Sequence, residues 1–232
     1  EGSGEVAYFY QDDGIHGSEL WRTDGTSAGT RLVRDVCPGA CGSEEWLPSS
    51  QALALIGNNA VFTADDGVHG VELWWTDGTD AGTHMIADLA PGPRSSRFWN
   101  FTSSSELVFF SGTPDGHPPF KLWRSDGTAA GTFPLVDNVD GVAMLANGST
   151  LYFGGPTGGL WKSDGTVAGT VPIASGFVVG QSAWFSGAPF RFLPSGLLVF
   201  GATLGELLDL AGGATAPLGA ILLGGAAGAF LG

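Results

Sequence analysis

The stretch ELWWTDGTDAGTHMIADLAPG, from Glu72 to Gly92, decides the fold because the chain repeats it. It occurs earlier as ELWRTDGTSAGTRLVRDVCPG, from Glu19 to Gly39. It returns as KLWRSDGTAAGTFPLVDNV (121–139) and as GLWKSDGTVAGTVPIASG (159–176). The tryptophans of successive copies are 53, 49 and 38 residues apart, close to the period of about 40 to 50 residues of a four-stranded propeller blade.

The best-preserved copy predicts four short strands. QALALIGN (51–58), AVFTADD (60–66), VELWWTD (71–77) and HMIADLA (84–90) are strand-sized runs separated by Gly, Asn and Asp. Such runs with turn residues between them are typical of an antiparallel meander. The 39 glycines and 13 prolines also argue against a helical protein.

A fifth copy and the two chain ends complete the prediction. FLPSGLLVFGATLGELLDLAGGATAPLGAIL (192–222) aligns with the fourth copy, and AAGAFLG (226–232) resembles the first strand that the N-terminal copy lacks. We therefore predict an all-β fold, a single five-bladed β-propeller over residues 1–232. Pairing of the N- and C-terminal strands closes the ring and removes open sheet edges. The predicted blades are 1–40 with 226–232, 46–92, 96–139, 140–176 and 188–225.

A transmembrane segment is the competing interpretation of the C-terminus. Residues 210–232 carry no charge and are long enough to cross a bilayer. Their high glycine content, Pro217 and the alignment with a blade favour a strand.

The net charge of −14 excludes some partners. A chain with 23 acidic residues against nine Lys and Arg repels nucleic acids and anionic membranes. Two cysteines, Cys37 and Cys41 in CPGAC, predict a local disulfide in an oxidising compartment. Without further ligand pairs, we do not interpret them as a metal site.

The motifs ELWRTDGTSAGT and ELWWTDGTDAGT resemble the ELWxxDGT repeats of large bacterial secreted and surface proteins. Four copies carry the resemblance clearly and the fifth faintly. It implies repeat architecture and an extracellular or cell-surface bacterial location, and it implies no reaction. Lys121 and Gly159 replace the motif Glu, and the fifth copy lacks both the Trp and the Asp-Gly-Thr turn.

The repeated residues have a structural interpretation that needs no ligand. The aspartates accept hydrogen bonds within turns, and the tryptophans are large apolar plates suited to packing between blades. The predicted turn aspartates are Asp24, Asp77, Asp126 and Asp164, and the predicted packing tryptophans are Trp21, Trp74, Trp123 and Trp161.

Candidate ligand-binding residues lie in the variable loops and connectors, which share one propeller face. The loops QDDGIHG (11–17), ADDGVHG (64–70) and PDGHPP (114–119) contain three of the four histidines. Aromatic rings stack on sugars, and Asp and His bind hydroxyls. The candidates are Asp13, His16, Trp46, Asp66, His69, Asp115, His117 and Trp184, with Trp99 a further exposed aromatic. Calcium at Asp12–Asp13 and Asp65–Asp66 is a weaker alternative, because the alternating oxygen ligands of a calcium loop are missing.

These features predict a non-enzymatic binding module without a cofactor, which recognises a carbohydrate or a protein partner at the cell surface. The sequence contains no nucleophile elbow, His-Glu-x-x-His or phosphate-binding loop. One alternative is a structural subunit of an envelope or extracellular assembly, docked through the apolar, charge-poor C-terminal blade. The third is a glycosidase-like enzyme with carboxylates brought together from Asp12, Glu45 and Asp66.

Overall fold

A computed structural model describes residues 6–39, 41–43, 52–139 and 143–175, together with the strand segments 178–179, 190–192, 198–200, 202–203 and 221–223. All regular secondary structure in these ranges is β-strand. None of the described residues forms a helix that could span a membrane. The prediction of an all-β chain is therefore confirmed.

The strands of the four clear repeats form four units. Unit 1 contains β1 (Ala7–Asp12), β2 (Ser18–Thr23) and β3 (Arg31–Leu32). Unit 2 contains β4 (Leu53–Ile56), β5 (Asn59–Asp65), β6 (Val71–Thr76) and β7 (His84–Ala87). Unit 3 contains β8 (Arg97–Ser103), β9 (Val108–Thr113), β10 (Lys121–Ser125) and β11 (Phe133–Asp137). Unit 4 contains β12 (Met144–Asn147), β13 (Thr150–Gly154), β14 (Leu160–Ser163) and β15 (Val171–Ala174).

Each unit is an antiparallel sheet in which consecutive strands are neighbours. Units 2, 3 and 4 have four strands and unit 1 has three. The predicted four-stranded meanders are thus confirmed. The remaining strands are β16 (Val178–Val179), β17 (Phe190–Phe192), β18 (Leu198–Phe200), β19 (Ala202–Thr203) and β20 (Ile221–Leu223). Strand β16 pairs with β19, and β18 lies between β17 and β20. The predicted closing strand, 226–232, and most of residues 210–232 lie outside the described residues.

The Asp-Gly-Thr turn joins the last two strands of each unit and is held by side-chain hydrogen bonds. Asp77 Oδ1 accepts from the Thr79 amide at 2.8 Å and from its hydroxyl at 2.6 Å. Thr79 Oγ1 in turn accepts from Gly82 N at 3.0 Å. Asp24, Asp126 and Asp164 make the same contacts in their units. The hydroxyl of the threonine two residues on lowers the pKa of Asp24, Asp77 and Asp164. Burial acts to raise the pKa of Asp126, but the hydrogen bonds from Thr128 lower it overall.

Alternation along the motif strands β2, β6, β10 and β14 places the motif Leu and Trp on opposite faces of each sheet. In the core between units 2 and 3, Leu73 of the former packs with Trp123 of the latter. Leu20 and Trp74 share the core between units 1 and 2 in the same way. Leu122 packs with Phe109, Leu151 and the partly buried Trp161 between units 3 and 4. Every unit therefore completes its apolar core only against its neighbours.

The motif glutamate holds the connector that leaves its own unit. Glu72 is fully buried, and its carboxylate accepts from Leu89 N, Ala90 N and the Ser96 hydroxyl at 2.9–3.1 Å. Glu19 accepts from Cys37 N at 3.0 Å and from the Ser43 hydroxyl at 2.5 Å. Burial raises the pKa of both carboxyl groups, against the effect of these hydrogen bonds. The first residue of the motif thus fixes a chain segment far along the sequence.

Unit 3 replaces this buried carboxylate with Lys121. Its ammonium lies 3.1 Å from Asp137 at the surface, where an ion pair contributes little. Unit 4 has Gly159 at this position, with a positive φ of 79°, and glycine has no side chain that could bind a connector. The two departures from the motif glutamate therefore remove the buried connector contact rather than the strand.

Truncation of Leu73 tests the packing between units. Leu73→Ala should reduce the free energy of unfolding by about 2–5 kcal/mol, because it opens a cavity between two sheets. Val167→Ala, at a position that is 60% exposed, should change it by less than about 0.5 kcal/mol. Urea denaturation followed by tryptophan fluorescence measures both values. Equal stability of the two variants would contradict shared cores.

Removal of the buried carboxylate tests the connector contact. Glu72→Ala should destabilise the protein by about 3 kcal/mol, because it leaves buried donors of the connector unsatisfied. Lys121→Ala, at the same repeat position, should cost less than about 1 kcal/mol, because its ion pair is partly exposed. Thermal unfolding measured by calorimetry compares the two variants, and a similar loss in both would refute the assigned role of Glu72.

Candidate functional site

The loops that precede the motif strands β2, β6 and β10 lie at the same end of the sheets as the connectors between units. We call this end the loop face. It contains loop 1 (13–17), loop 2 (66–70), loop 3 (114–120), connector 1 (33–43, with residue 40 not described) and connector 2 (88–96). The Asp-Gly-Thr turns lie at the opposite end, the turn face, because neighbouring strands are antiparallel.

Loop 1 is held by its own aspartates. Asp13 Oδ1 accepts from Ile15 N at 2.9 Å and from His16 N at 2.8 Å, and Oδ2 contacts His16 Nδ1 at 2.7 Å. Asp12 Oδ1 accepts from Gly14 N at 2.7 Å. The bond from the His16 amide, followed by that from its ring, lowers the pKa of Asp13 to about 2. Asp13 is therefore ionised at neutral pH, and His16 Nδ1 is the donor.

Loop 2 repeats this geometry in the next unit. Asp66 Oδ1 accepts from Val68 N and His69 N, and Oδ2 contacts His69 Nδ1 at 2.7 Å. Asp65 accepts from Gly67 N at 2.7 Å. Burial acts against it, but the bonds from His69 lower the pKa of Asp66. In both loops the aspartate raises the pKa of the histidine that it binds.

Loop 3 fixes its histidine in a different way. His117 Nδ1 lies 2.6 Å from the Asp115 carbonyl, so Nδ1 carries the proton because a carbonyl can only accept. Asp115 Oδ1 accepts from the Thr113 hydroxyl and from His117 N. The Thr113 bond is the main cause of the lowered pKa of Asp115. The Pro118–Pro119 peptide bond that follows is cis.

The three loops therefore have one chemical property in common. Each histidine uses Nδ1 inside its own loop, and within the described ranges no protein atom hydrogen-bonds to its Nε2. A neutral imidazole held in this way offers an Nε2 acceptor to a ligand. The aspartates mainly stabilise the loops, because their carboxylate oxygens already accept hydrogen bonds from groups of the same loop.

An aromatic pair lies beside loop 3. The rings of Trp99 and Phe120 meet edge to face with centroids 4.9 Å apart. Trp99 is at the loop-face end of β8 and remains partly exposed. Phe98 points into the core between units 2 and 3, so Arg97 and Trp99 lie on the other side of the strand. The Arg97 side chain packs beside Gly116 of loop 3: a β-carbon placed on Gly116 would be 3.5 Å from Arg97 Cδ, which is ordinary van der Waals contact.

Connector 1 joins loops 1 and 2. Ser43 N donates to Ser18 O at 2.8 Å, and Asp65 N donates to Ser43 O at 3.1 Å. The predicted disulfide between Cys37 and Cys41 is present, with a Cα–Cα distance of 5.9 Å. The Cys37 sulfur lies close to Gly67 of loop 2: a β-carbon placed on Gly67 would be only 3.2 Å from it. The disulfide therefore packs against loop 2. These contacts make loop 1, connector 1 and loop 2 one continuous surface.

The structure places six of the eight candidate ligand-binding residues in these loops: Asp13, His16, Asp66, His69, Asp115 and His117. Trp46 and Trp184 lie outside the described residues, as does Glu45 of the glycosidase-like alternative. Among the described side chains, no group of three His, Cys, Asp or Glu could hold a metal ion.

Sequence reasoning missed the residues at the tips of loops 1 and 2. Ile15 is 70% exposed and Val68 is 65% exposed, at equivalent positions of the two loops. The signal was present in DDGIHG and DDGVHG, where an apolar residue lies between two turn-forming residues. It also missed two contacts between segments that are distant in sequence. Phe120 meets Trp99, and Arg97 lies beside Gly116, because strands β8 and β9 pair.

A scan against protein-family models finds no match to the chain, and a search of curated proteins finds none either. Among solved structures, the computationally designed Ika8 protein is 16% identical with a TM-score of 0.43, over 86% of this chain and 55% of that one. A puromycin-hydrolyzing peptidase of Mycobacterium tuberculosis is 12% identical with a TM-score of 0.46, over 88% and 35%. The uncharacterized protein lmo1340 of Listeria monocytogenes EGD-e is 10% identical with a TM-score of 0.41, over 88% and 60%.

The chain thus spans about half the length of the designed protein and about a third of the peptidase. None of the three likenesses reaches a TM-score of 0.5, and none carries an argument about activity.

Replacement of Asp13 tests the Asp13–His16 pair, which we call the clamp of loop 1. Asp13→Asn should lower the pKa of His16 toward the ordinary value of about 6.5, because the variant removes the carboxylate on Nδ1. The pair stabilises the loop fully below the ordinary histidine pKa, and this contribution is lost as pH rises through the raised pKa. An NMR titration of the His16 ring protons measures the change. Asp80→Asn, which removes a turn-face carboxylate near Arg34, should leave the His16 titration as it is; an unchanged pKa in Asp13→Asn would disprove the clamp.

Proposed function

We propose that the protein is a secreted or cell-surface binding module without enzymatic activity, and that its loop face recognises glycans. The observation that carries the proposal is the partly exposed Trp99 ring, which packs edge to face on Phe120 of loop 3, the loop that also holds the imidazole of His117. An aromatic plate next to hydrogen-bonding groups is what a sugar ring requires: its C–H face packs on the plate, and its hydroxyls bind the polar groups.

The polar groups around Trp99 complement hydroxyls. His117 Nε2 can accept from a sugar hydroxyl, since Nδ1 keeps its proton on the Asp115 carbonyl. Arg97 offers donors from the same side of β8. Neutral glycans fit this site better than acidic ones, because the net charge of −14 repels anions.

The proposed frame is a five-bladed propeller closed through its termini. The contacts between first strands support it: β4 contacts β8, β8 contacts β12, and β12 contacts β17. First strands that adjoin in series are what a radial arrangement of blades produces. In such a ring the loops of all units open on one face, and several weak sites can then bind one polysaccharide with avidity.

The proposed location rests on two observations. The Cys37–Cys41 disulfide suits an oxidising compartment, and the ELWxxDGT motifs resemble repeats of secreted and surface proteins.

A glycan array with the purified chain tests the proposal. Selective binding is expected, and Trp99→Ala should weaken it by roughly tenfold or more, because stacking is lost. His117→Gln should weaken it less, since it removes only one acceptor. Val167→Ser, on the turn face, is the matched control and should bind like the unchanged protein.

Circular dichroism of each variant separates loss of binding from loss of fold. Absence of glycan binding by well-folded protein would overturn the proposal and favour the structural-subunit alternative. Binding that survives Trp99→Ala would move the glycan site away from loop 3.

A further inference from the structure

The tips of loops 1 and 2 carry exposed aliphatic side chains at equivalent positions. Ile15 and Val68 have exposed fractions of 70% and 65%, the two highest among the large hydrophobic residues that the structure describes. Val167, at 60%, lies on the turn face, and Ile173, at 40%, lies in the outer strand β15. Exposed aliphatic side chains repeated at one place on one face are typical of a surface that a partner covers.

These two side chains are presented by fixed loops. The amide of Ile15 donates to Asp13 and the amide of Val68 donates to Asp66, each at 2.9 Å. The neighbouring histidine closes each loop through a second bond to the same aspartate. A loop fixed before binding loses little conformational entropy when a partner covers it.

Connector 1 makes the two tips part of one surface. The Cys37 sulfur lies against Gly67 of loop 2, and Glu19 of unit 1 holds Cys37 N at 3.0 Å. Pro38, inside the disulfide-bonded segment, is exposed and directly follows Cys37. We call the surface formed by Ile15, Pro38 and Val68 the aliphatic ridge.

The charge around the aliphatic ridge is negative. Loop 1, loop 2 and the strand ends beside them contribute four aspartates, and connector 1 contributes Asp35. Arg34 of connector 1 points away: it donates to Thr83 O at 2.8 Å and lies 3.6 Å from Asp80. Connector 2 brings one further cation, the exposed Arg94, whose backbone lies against Gly70 at the end of loop 2, so the carboxylates outnumber the cations around the ridge. A partner must therefore bring apolar groups for the ridge and positive charge for its flanks.

From this geometry we propose that the aliphatic ridge binds a basic polypeptide segment whose Lys or Arg residues alternate with apolar side chains. Branched aliphatic contacts select apolar side chains, which polypeptides carry and ordinary glycans lack. Anionic membranes and nucleic acids are repelled by the flanking carboxylates. The ridge is separate from the Trp99 site in unit 3, so this inference does not rest on the proposed glycan function.

Three synthetic peptides of equal length test the inference by fluorescence anisotropy with the full chain. One contains Lys and Leu, one Glu and Leu, and one Lys and Ser. The Lys/Leu peptide should bind at least roughly tenfold more tightly than the other two, because it alone supplies both features. Ile15→Ser/Val68→Ser should reduce its affinity by roughly tenfold, and Val167→Ser and Trp99→Ala should not.

A charge variant tests the second feature separately. Asp12→Asn/Asp65→Asn keeps the side-chain acceptors for Gly14 N and Gly67 N but removes two negative charges. It should weaken Lys/Leu binding and reduce its dependence on salt. Equal binding of the Glu/Leu peptide, unchanged Lys/Leu binding by the double serine variant, or no Lys/Leu binding at all would each overturn the inference. Glycan-array results for the same serine variant should match those of the unchanged protein, which separates this outcome from that of the glycan proposal.

Discussion

The packing of a leucine from one sheet against a tryptophan-bearing face of the next is the constraint on which the rest of the structure depends. Neither Leu73 nor Trp123 could be buried by its own sheet, since a single antiparallel sheet covers neither of its faces. The repeated Leu-Trp pair therefore packs against neighbouring units: the leucine contacts the following unit, and the tryptophan contacts the preceding one. Repetition is required because each core needs two consecutive copies.

Around these cores, side-chain hydrogen bonds fix both ends of the sheets, exposed ones at the turn face and buried ones at the loop face. Asp77 and its equivalents close the turn face, and Glu19 and Glu72 hold the connectors of the loop face. A carboxylate that accepts several backbone N–H groups orders a segment without needing a ligand. The rigidity of the loop face thus originates in the same motif that builds the core, and this leaves the loop tips free to vary.

The sequence predicted what is local or periodic and missed what depends on distant contacts. Alternation and turn residues were sufficient for the strands of units 2 to 4, and the spacing of Cys37 and Cys41 was sufficient for their disulfide. The bond from Ser96 to Glu72 joins residues 24 positions apart, and no local pattern signals it. Ile15 and Val68 were missed for the opposite reason, because hydrophobic residues are usually assigned to a core.

The loop aspartates have a different role in the structure from the one that the sequence predicts. From sequence, Asp13 and Asp66 are ligand candidates because carboxylates bind hydroxyls and cations. In the folded protein their oxygens accept from the loop backbone and from histidine, so a ligand would compete with bonds that hold the loop. The groups that these loops leave available for the recognition we propose are therefore the imidazole Nε2 and the aliphatic side chain at the loop tip. A polar motif of six residues, DDGxHG, in this way builds a surface whose outermost atoms are apolar.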